Sequence, residues 1–303
     1  GSGGDTDFHG NVLETVTWAA GLAAHSKNIQ IFATVHTAFN HPIVVAKQLA
    51  TLDQFSNGRI GLNVVAGWNK PEYDAFGIDL PSDHSDRYAM AQEWFDYVTQ
   101  LWKADSAFDW NGTFFRGKGV YGQPHPVQAR VPIINAASSE EGRAFAMRNA
   151  NFLFTPVFDF GQAQETVTDI KSKAQSVGRS VEVLTFCTVV CRPTQKEAED
   201  YLDWYANENA DWDAVDNLMT LQGMHAQSFT KEALAMFRDR FAAGHGGFPL
   251  VGTPDHIADQ LEQLSATGVA GTTLSFVDYA KEFPYFRQEV LPRLEAKGLR
   301  QPL

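Results

Sequence analysis

The residues best suited to do chemistry sit in two short β-branched stretches. Thr34 lies in Ile29–Val35 with His36 two residues on, at its end, and Asn63 lies in Arg59–Val65, just before Ala66-Gly67-Trp68. On a strand, side chains two apart share a face. Thr34 and His36 therefore point one way, with Ala33 and Val35 pointing the other. In the next stretch Ile60, Leu62 and Val64 face the helices, whereas Gly61, Asn63 and Val65 face the opposite way. A small hydroxyl, an imidazole and a carboxamide near strand ends could hold a polar reactant or stabilise charge on oxygen. The same Asn could equally bond a neighbouring backbone, and a lone His at a strand end is more often structural. A further candidate is Ser139, an expected N-cap for a helix opening with Glu140-Glu141.

The elements that must position these residues alternate along the chain. Helical spacing runs through Asn11–Lys27, from Pro42 to about Leu52, through Asp83–Trp102, Ser139–Arg148, Gln162–Gln175, Pro254–Ala266 and Pro284–Ala296. Between them lie strands at Ile29–Val35, Arg59–Val65, Val131–Ala137, Phe152–Val157, Val181–Cys191 and Gly271–Phe276, with a small hairpin turning at Asn111-Gly112. Thr194 to about Arg240 reads as one helical stretch, broken by Gly246-Gly247. Six β–α units in this order predict a parallel sheet covered by helices. The pattern alone fits an open doubly wound sheet as well as a TIM barrel of eight units.

Composition removes several function classes. The 303 residues are 44% hydrophobic, enough for a large core, and carry a formal charge of −12 without a basic run, which disfavours nucleic acid as a partner. No apolar run is long enough to span a bilayer, and Gly1–Gly10 lacks the apolar core of a signal peptide, so a cytoplasmic location is expected. No G-x-G-x-x-G follows a strand and no P-loop pattern occurs, and no H-E-x-x-H or Cys/His cluster suggests a metal. Cys187 and Cys191 lie too far apart on one strand to bridge and are expected as core thiols in a reducing compartment.

A wider set of residues carries a family resemblance: His41-Pro42, Ala46 to Gln54, Asn57-Gly58-Arg59, Asn63 to Trp68, Lys70-Pro71-Glu72-Tyr73, Asp86-Arg87-Tyr88, Asn135 to Ser139, and Leu250 to Pro254. Together they resemble the bacterial-luciferase-like flavin monooxygenases, in particular the pyrimidine oxygenase and dimethylsulfone monooxygenase branches, over nearly the whole chain. The resemblance implies a single TIM (β/α)8 barrel domain over 1–303. Gly3 to Phe8 resembles family sequence after the second barrel strand, which leaves about six of eight β–α units in this chain, and about 212–247 would be a lid or insertion.

The resemblance also implies an enzyme: a two-component monooxygenase that takes FMNH2 from a separate flavin reductase. It would use O2 to place one oxygen atom, through a flavin peroxide, on a sulfone, sulfonate, pyrimidine or haloaromatic substrate. Ser139, Arg87 and Tyr88 would hold the FMN phosphate end, Glu72 a ribityl hydroxyl or ring N–H, and Asn63 the flavin ring. Thr34 and Asn63 would form the oxygen pocket, with His36 orienting substrate or oxygen and Trp68 lining the substrate pocket. A homo-oligomer, dimer or tetramer, is implied as well. One departure is Ala66, where pyrimidine-branch relatives carry Thr. Two alternatives share the fold: a deazaflavin-dependent oxidoreductase and a non-catalytic flavin-binding barrel.

Overall fold

The computed structural model describes residues 11–81, 83–137, 139–224 and 230–302, apart from the His84 side chain. The stretch Gly3 to Phe8 and part of the expected 212–247 insertion lie outside them. The chain divides into two compact units, one running through Leu153 with Val177–Val181, the other comprising Phe154–Ser176 and Glu182 onward.

The first unit begins with α1 (Thr15–His25), β1 (Ile31–His36), α2 (Pro42–Ser56) and β2 (Ile60–Val65). Proline at the start of α2 loses no intrahelical bond there, and Asn57 ends the helix in the left-handed conformation at φ 55°. Val45, Ala46, Leu49 and Leu52 are buried at helical spacing. Next come α3 (Lys70–Ala75), α4 (His84–Leu101), the antiparallel pair β3 (Phe108–Asn111) and β4 (Arg116–Val120), then β5 (Ile133–Ala136), α5 (Glu140–Asn149) and β6 (Phe152–Phe154).

Strand β2 lies between β1 and β5, parallel to both. Ala33, Val35, Leu62, Val64 and Ile133 are buried, and the alternate residues Thr34, Asn63 and Ile134 fall in register on the other face. Two charged residues of the family-like segment act structurally. Arg59 donates to the Ala23, Ser26 and Ile29 carbonyls at the end of α1. Asp53, fully buried, accepts from the Gln128 backbone and side-chain amides.

The second unit contains α6 (Phe160–Ser176), β7 (Glu182–Cys191), α7 (Gln195–Asp203), α8 (Trp212–Leu221), α9 (Lys231–Gly244), β8 (Phe248–Gly252), α10 (Pro254–Ala266), β9 (Gly271–Ser275), α11 (Tyr279–Glu289) and α12 (Leu291–Ala296). Strand β7 runs parallel to both β8 and β9.

Three sequence expectations change here. The sequence reading places no strand after the Gly246-Gly247 break, yet β8 follows it directly, with Pro249 within the strand. The helical stretch from Thr194 is interrupted by a π-turn at Trp204–Glu208 and again before Asp211 caps α8. Within it, α8 and α9 close around Val215, Met219 and Phe237, with Arg238 paired to Asp216. The final helix starts earlier than Pro284, at an Asp278 cap, and accommodates that proline internally.

Candidate active site

All the sequence-selected residues fall in the first unit, on or after the carboxyl ends of β1, β2 and β5. Parallel strands offer this end to ligands because the connecting loops there are free to vary while the strands hold them. Register places Thr34 directly beside Asn63. The Asn63 Nδ2 donates to Thr34 Oγ1 at 3.2 Å, and Asn63 Oδ1 is buried without a partner. Thr34 is exposed and thus open to a reactant.

His36 ends β1 and enters an aromatic box. Its ring stacks on Phe39 at 4.1 Å, Phe39 stacks on Phe76 at 4.4 Å, and Tyr73 meets His36 edge-on at 5.3 Å. Burial pulls its pKa from 6.5 down to about 4, so the ring is neutral near pH 7. The Ala38 N–H donates to Nδ1 at 3.3 Å, which assigns the ring proton to Nε2; that atom is buried and unpartnered.

Gly67 is the hinge of this arrangement. Its φ of +97° favours glycine, and a Cβ there would lie 2.0 Å from His36 Nε2 and 2.6 Å from the Tyr73 hydroxyl. The Tyr73 hydroxyl donates to the Ala66 carbonyl at 3.0 Å, and Arg87 Nη1 donates to the Gly67 carbonyl at 3.1 Å. Arg87, expected at the FMN phosphate end, is only 8% exposed, with Nε buried and unpartnered. Trp68, at 37% exposure, follows at the rim, and Glu72 lies in the first turn of α3.

A second cluster forms at α5. Ser139 caps the helix, accepting from the Gly142 N–H at 3.1 Å. The Tyr88 hydroxyl covers Gly142 so closely that a Cβ there would lie 2.4 Å from it. Burial raises the Tyr88 pKa, opposed by the Arg87 charge, so the phenol stays a donor. Tyr88 and Ser139 are thereby brought together at one helix N-terminus, where N–H groups and the helix dipole favour an anion.

Two contributors were not singled out in the sequence, Phe39 and Tyr73. Tyr73 is visible as the last residue of Lys70-Pro71-Glu72-Tyr73, but nothing in the sequence places Phe39 against His36.

The fold and the site together define an α/β protein with parallel strands and a polar cluster at their carboxyl ends. Residues 4–271 match the luciferase-like monooxygenase family. The chain belongs to that family. It is 31% identical over 98% of its length to a pyrimidine monooxygenase RutA of Yersinia enterocolitica, covering 82% of that protein. An FMNH2-dependent dimethylsulfone monooxygenase of Pseudomonas fluorescens is also 31% identical, with 94% of this chain and 79% of that one covered. Among solved structures, DmoA from Hyphomicrobium sulfonivorans aligns with a TM-score of 0.84 at 23% identity, over 95% of this chain and 72% of that chain. Among the described residues, no helix is long and apolar enough to cross a membrane.

Proposed function

We propose that this chain is an FMNH2- and O2-dependent monooxygenase of a small organic molecule, on the TIM barrel of its family, supplied with reduced flavin by a separate reductase. Sulfones, sulfonates, pyrimidines and haloaromatics are the substrate classes to test, in keeping with the relatives' names and the family resemblance. The Asn63–Thr34 hydrogen bond carries this reading. Because Thr34 Oγ1 accepts from the Asn63 amide, its own hydroxyl hydrogen is left to donate to an oxygen gaining negative charge.

The residues fit reduced FMN. Asn63 Oδ1 and His36 Nε2 are buried without partners, one acceptor and one donor for a ring system that carries both kinds of group, and the buried Arg87 Nε is a further donor for the phosphate end. The α5 N-terminus, with Ser139 and Tyr88, suits the phosphate, and Arg87 adds a positive charge nearby. Glu72 is the proposed acceptor for a ribityl hydroxyl or ring N–H, and Trp68 a wall of the substrate pocket. When bound, reduced FMN supplies two electrons to O2, so that one oxygen atom goes to substrate and the other leaves as water. Thr34 and Asn63 orient the oxygen. His36, neutral and wedged by Phe39 and Tyr73, holds its proton at Nε2 as a fixed donor.

The decisive measurement is product mass under 18O2 with FMN and a flavin reductase, across those four substrate classes. One 18O atom in the product is expected. Reduction of a deazaflavin with no incorporation would favour the hydride-transfer alternative, and FMNH2 binding without any product the non-catalytic one. Ser139→Ala combined with Tyr88→Phe should weaken FMNH2 binding on the order of tenfold, the loss of one or two hydrogen bonds to a charged group. An unchanged Kd would remove the phosphate assignment.

A further inference from the structure

At the amino end of β5 the first unit has a cavity of about 370 Å³, remote in chemistry from the site above. Its walls carry four cations, Lys103, Arg130, Arg148 and Arg179, against one carboxylate, Asp96. That concentration stands out on a chain of formal charge −12.

Three features show that the cations are not there to neutralise protein acids. Among the described residues, none of the four makes a salt bridge, although the Arg148 charge acts on Asp96. Arg179 donates from Nη2 to the Ala150 carbonyl, but its Nε is buried without a partner. Burial and, after it, the Arg130 charge both bear unfavourably on the charged form of Arg179. Two guanidinium groups held near one another cost free energy unless an anion bridges them. Asp96 does not fill that role. Its carboxyl is already engaged by Gln92, and burial pushes its pKa up. Trp102, whose indole N–H is tied to the Ala46 carbonyl, and Pro126 add apolar wall.

We propose that this cleft is a binding site for a compact polyanion, of the oligophosphate or polycarboxylate kind. Planar guanidinium forks match either group bidentately. The volume suits a small molecule, being within the lower range of ligand pockets, roughly 300–1,000 Å³. The bound anion would replace the Arg130–Arg179 repulsion with two attractions and give the buried Nε its acceptor. Because the cleft lies at the amino end of β5 and its lining includes neither Thr34 nor Asn63, its ligand is distinct from the oxygenation substrate.

Isothermal titration of the full chain with inorganic pyrophosphate and, separately, with citrate tests this. Saturable binding of at least one is expected, and the preferred probe identifies phosphate or carboxylate as the recognised group. Arg130→Ala should weaken it on the order of tenfold or more, as expected for loss of a charge-assisted bond. Arg130 is exposed, so folding should survive; Lys103→Ala, also exposed, is the second variant and should weaken binding less. Ser139→Ala should leave the affinity unchanged. Absence of saturable binding overturns the proposal, as does an Arg130→Ala Kd equal to that of the parent. Loss of binding in Ser139→Ala instead would move the anion to the α5 N-terminus. Tighter binding of a polyglutamate peptide than of either small anion would replace the small ligand with an acidic polypeptide.

Discussion

Strands β2 and β7 are each flanked by parallel partners, yet they treat polar groups in opposite ways. Around β2 the polar atoms are left open: Asn63 Oδ1, His36 Nε2 and Arg87 Nε are buried without partners. Along β7 most are closed off. Thr188 Oγ1 donates to the Gly244 carbonyl at 3.2 Å, and Thr272 Oγ1 lies 3.0 Å from Cys187 Sγ. Thr185 Oγ1 is the exception, a neutral hydroxyl whose exclusion from water costs less than that of a guanidinium N–H. A fold that satisfies its polar groups in one region has no general difficulty doing so. Unsatisfied groups gathered in the other are best explained by a ligand that completes them.

The most severe way to break the contrast is Gly67→Ala. The added methyl meets His36 Nε2 at 2.0 Å and the Tyr73 hydroxyl at 2.6 Å, on a backbone at φ +97°. Strain and overpacking together should cost about 4 kcal/mol, read as a fall in the urea midpoint. A variant within about 1 kcal/mol of the parent would show that the aromatic box yields easily. Next in size, Asn63→Ala and Thr34→Val should each lower oxygenation on the order of 100-fold, the scale of one lost donor to developing charge. Stability should change by about 1 kcal/mol or less, because Thr34 is exposed and Asn63 only half-buried. Thr188→Val in β7 should show the reverse, losing about 1 kcal/mol of stability with turnover retained. Equal activity losses in all three variants would abolish the distinction between the strands.

The faces of β1 and β2 were legible because strict alternation allows only one assignment once Ala33, Val35, Leu62 and Val64 are buried. Thr34 and Asn63 followed from that, although their hydrogen bond needed the register, which no single strand encodes. The helix at Ser139 was legible from its cap. Arg87 was not: its helical neighbours suggest a solvent-facing or phosphate-facing side chain, and only the fold brings Gly67 beneath it. Strand β8 was hidden because Pro249 and the preceding glycines are local signals that tertiary pairing overrides. The cationic cleft was invisible for a simpler reason. Its four cations come from separate stretches of sequence, and charge clustering in space leaves no run in the chain.

His36 makes the contrast depend on pH. Its folded pKa of about 4 lies below the unfolded value near 6.5, so the unfolded chain binds more protons between them. The contribution is intact above about pH 6.5, falls as pH drops towards 4, and changes no further below it. The full loss is about 3 kcal/mol, from the width of that window. Urea unfolding at pH 7 and pH 4.5 should therefore show a steeper acid loss in the parent than in His36→Gln. Parallel pH profiles would mean that the ring accepts a proton without leaving its box.

The smallest effect is expected in β7, where reactivity is suppressed rather than prepared. Burial raises both Cys187 and Cys191 from 9.0 to about 11. Alkylation proceeds through the thiolate, so near pH 8 each thiol should react on the order of 100-fold more slowly than one of unshifted pKa, before any steric protection. Iodoacetamide on the native protein should leave turnover within about twofold of the untreated enzyme, and both cysteines should label only when urea opens the fold. Rapid native labelling of Cys187 or Cys191 would place a reactive, accessible group in β7. The two regions would then differ in which residues they expose, and the open polar atoms beside β2 would lose their standing as a mark of function.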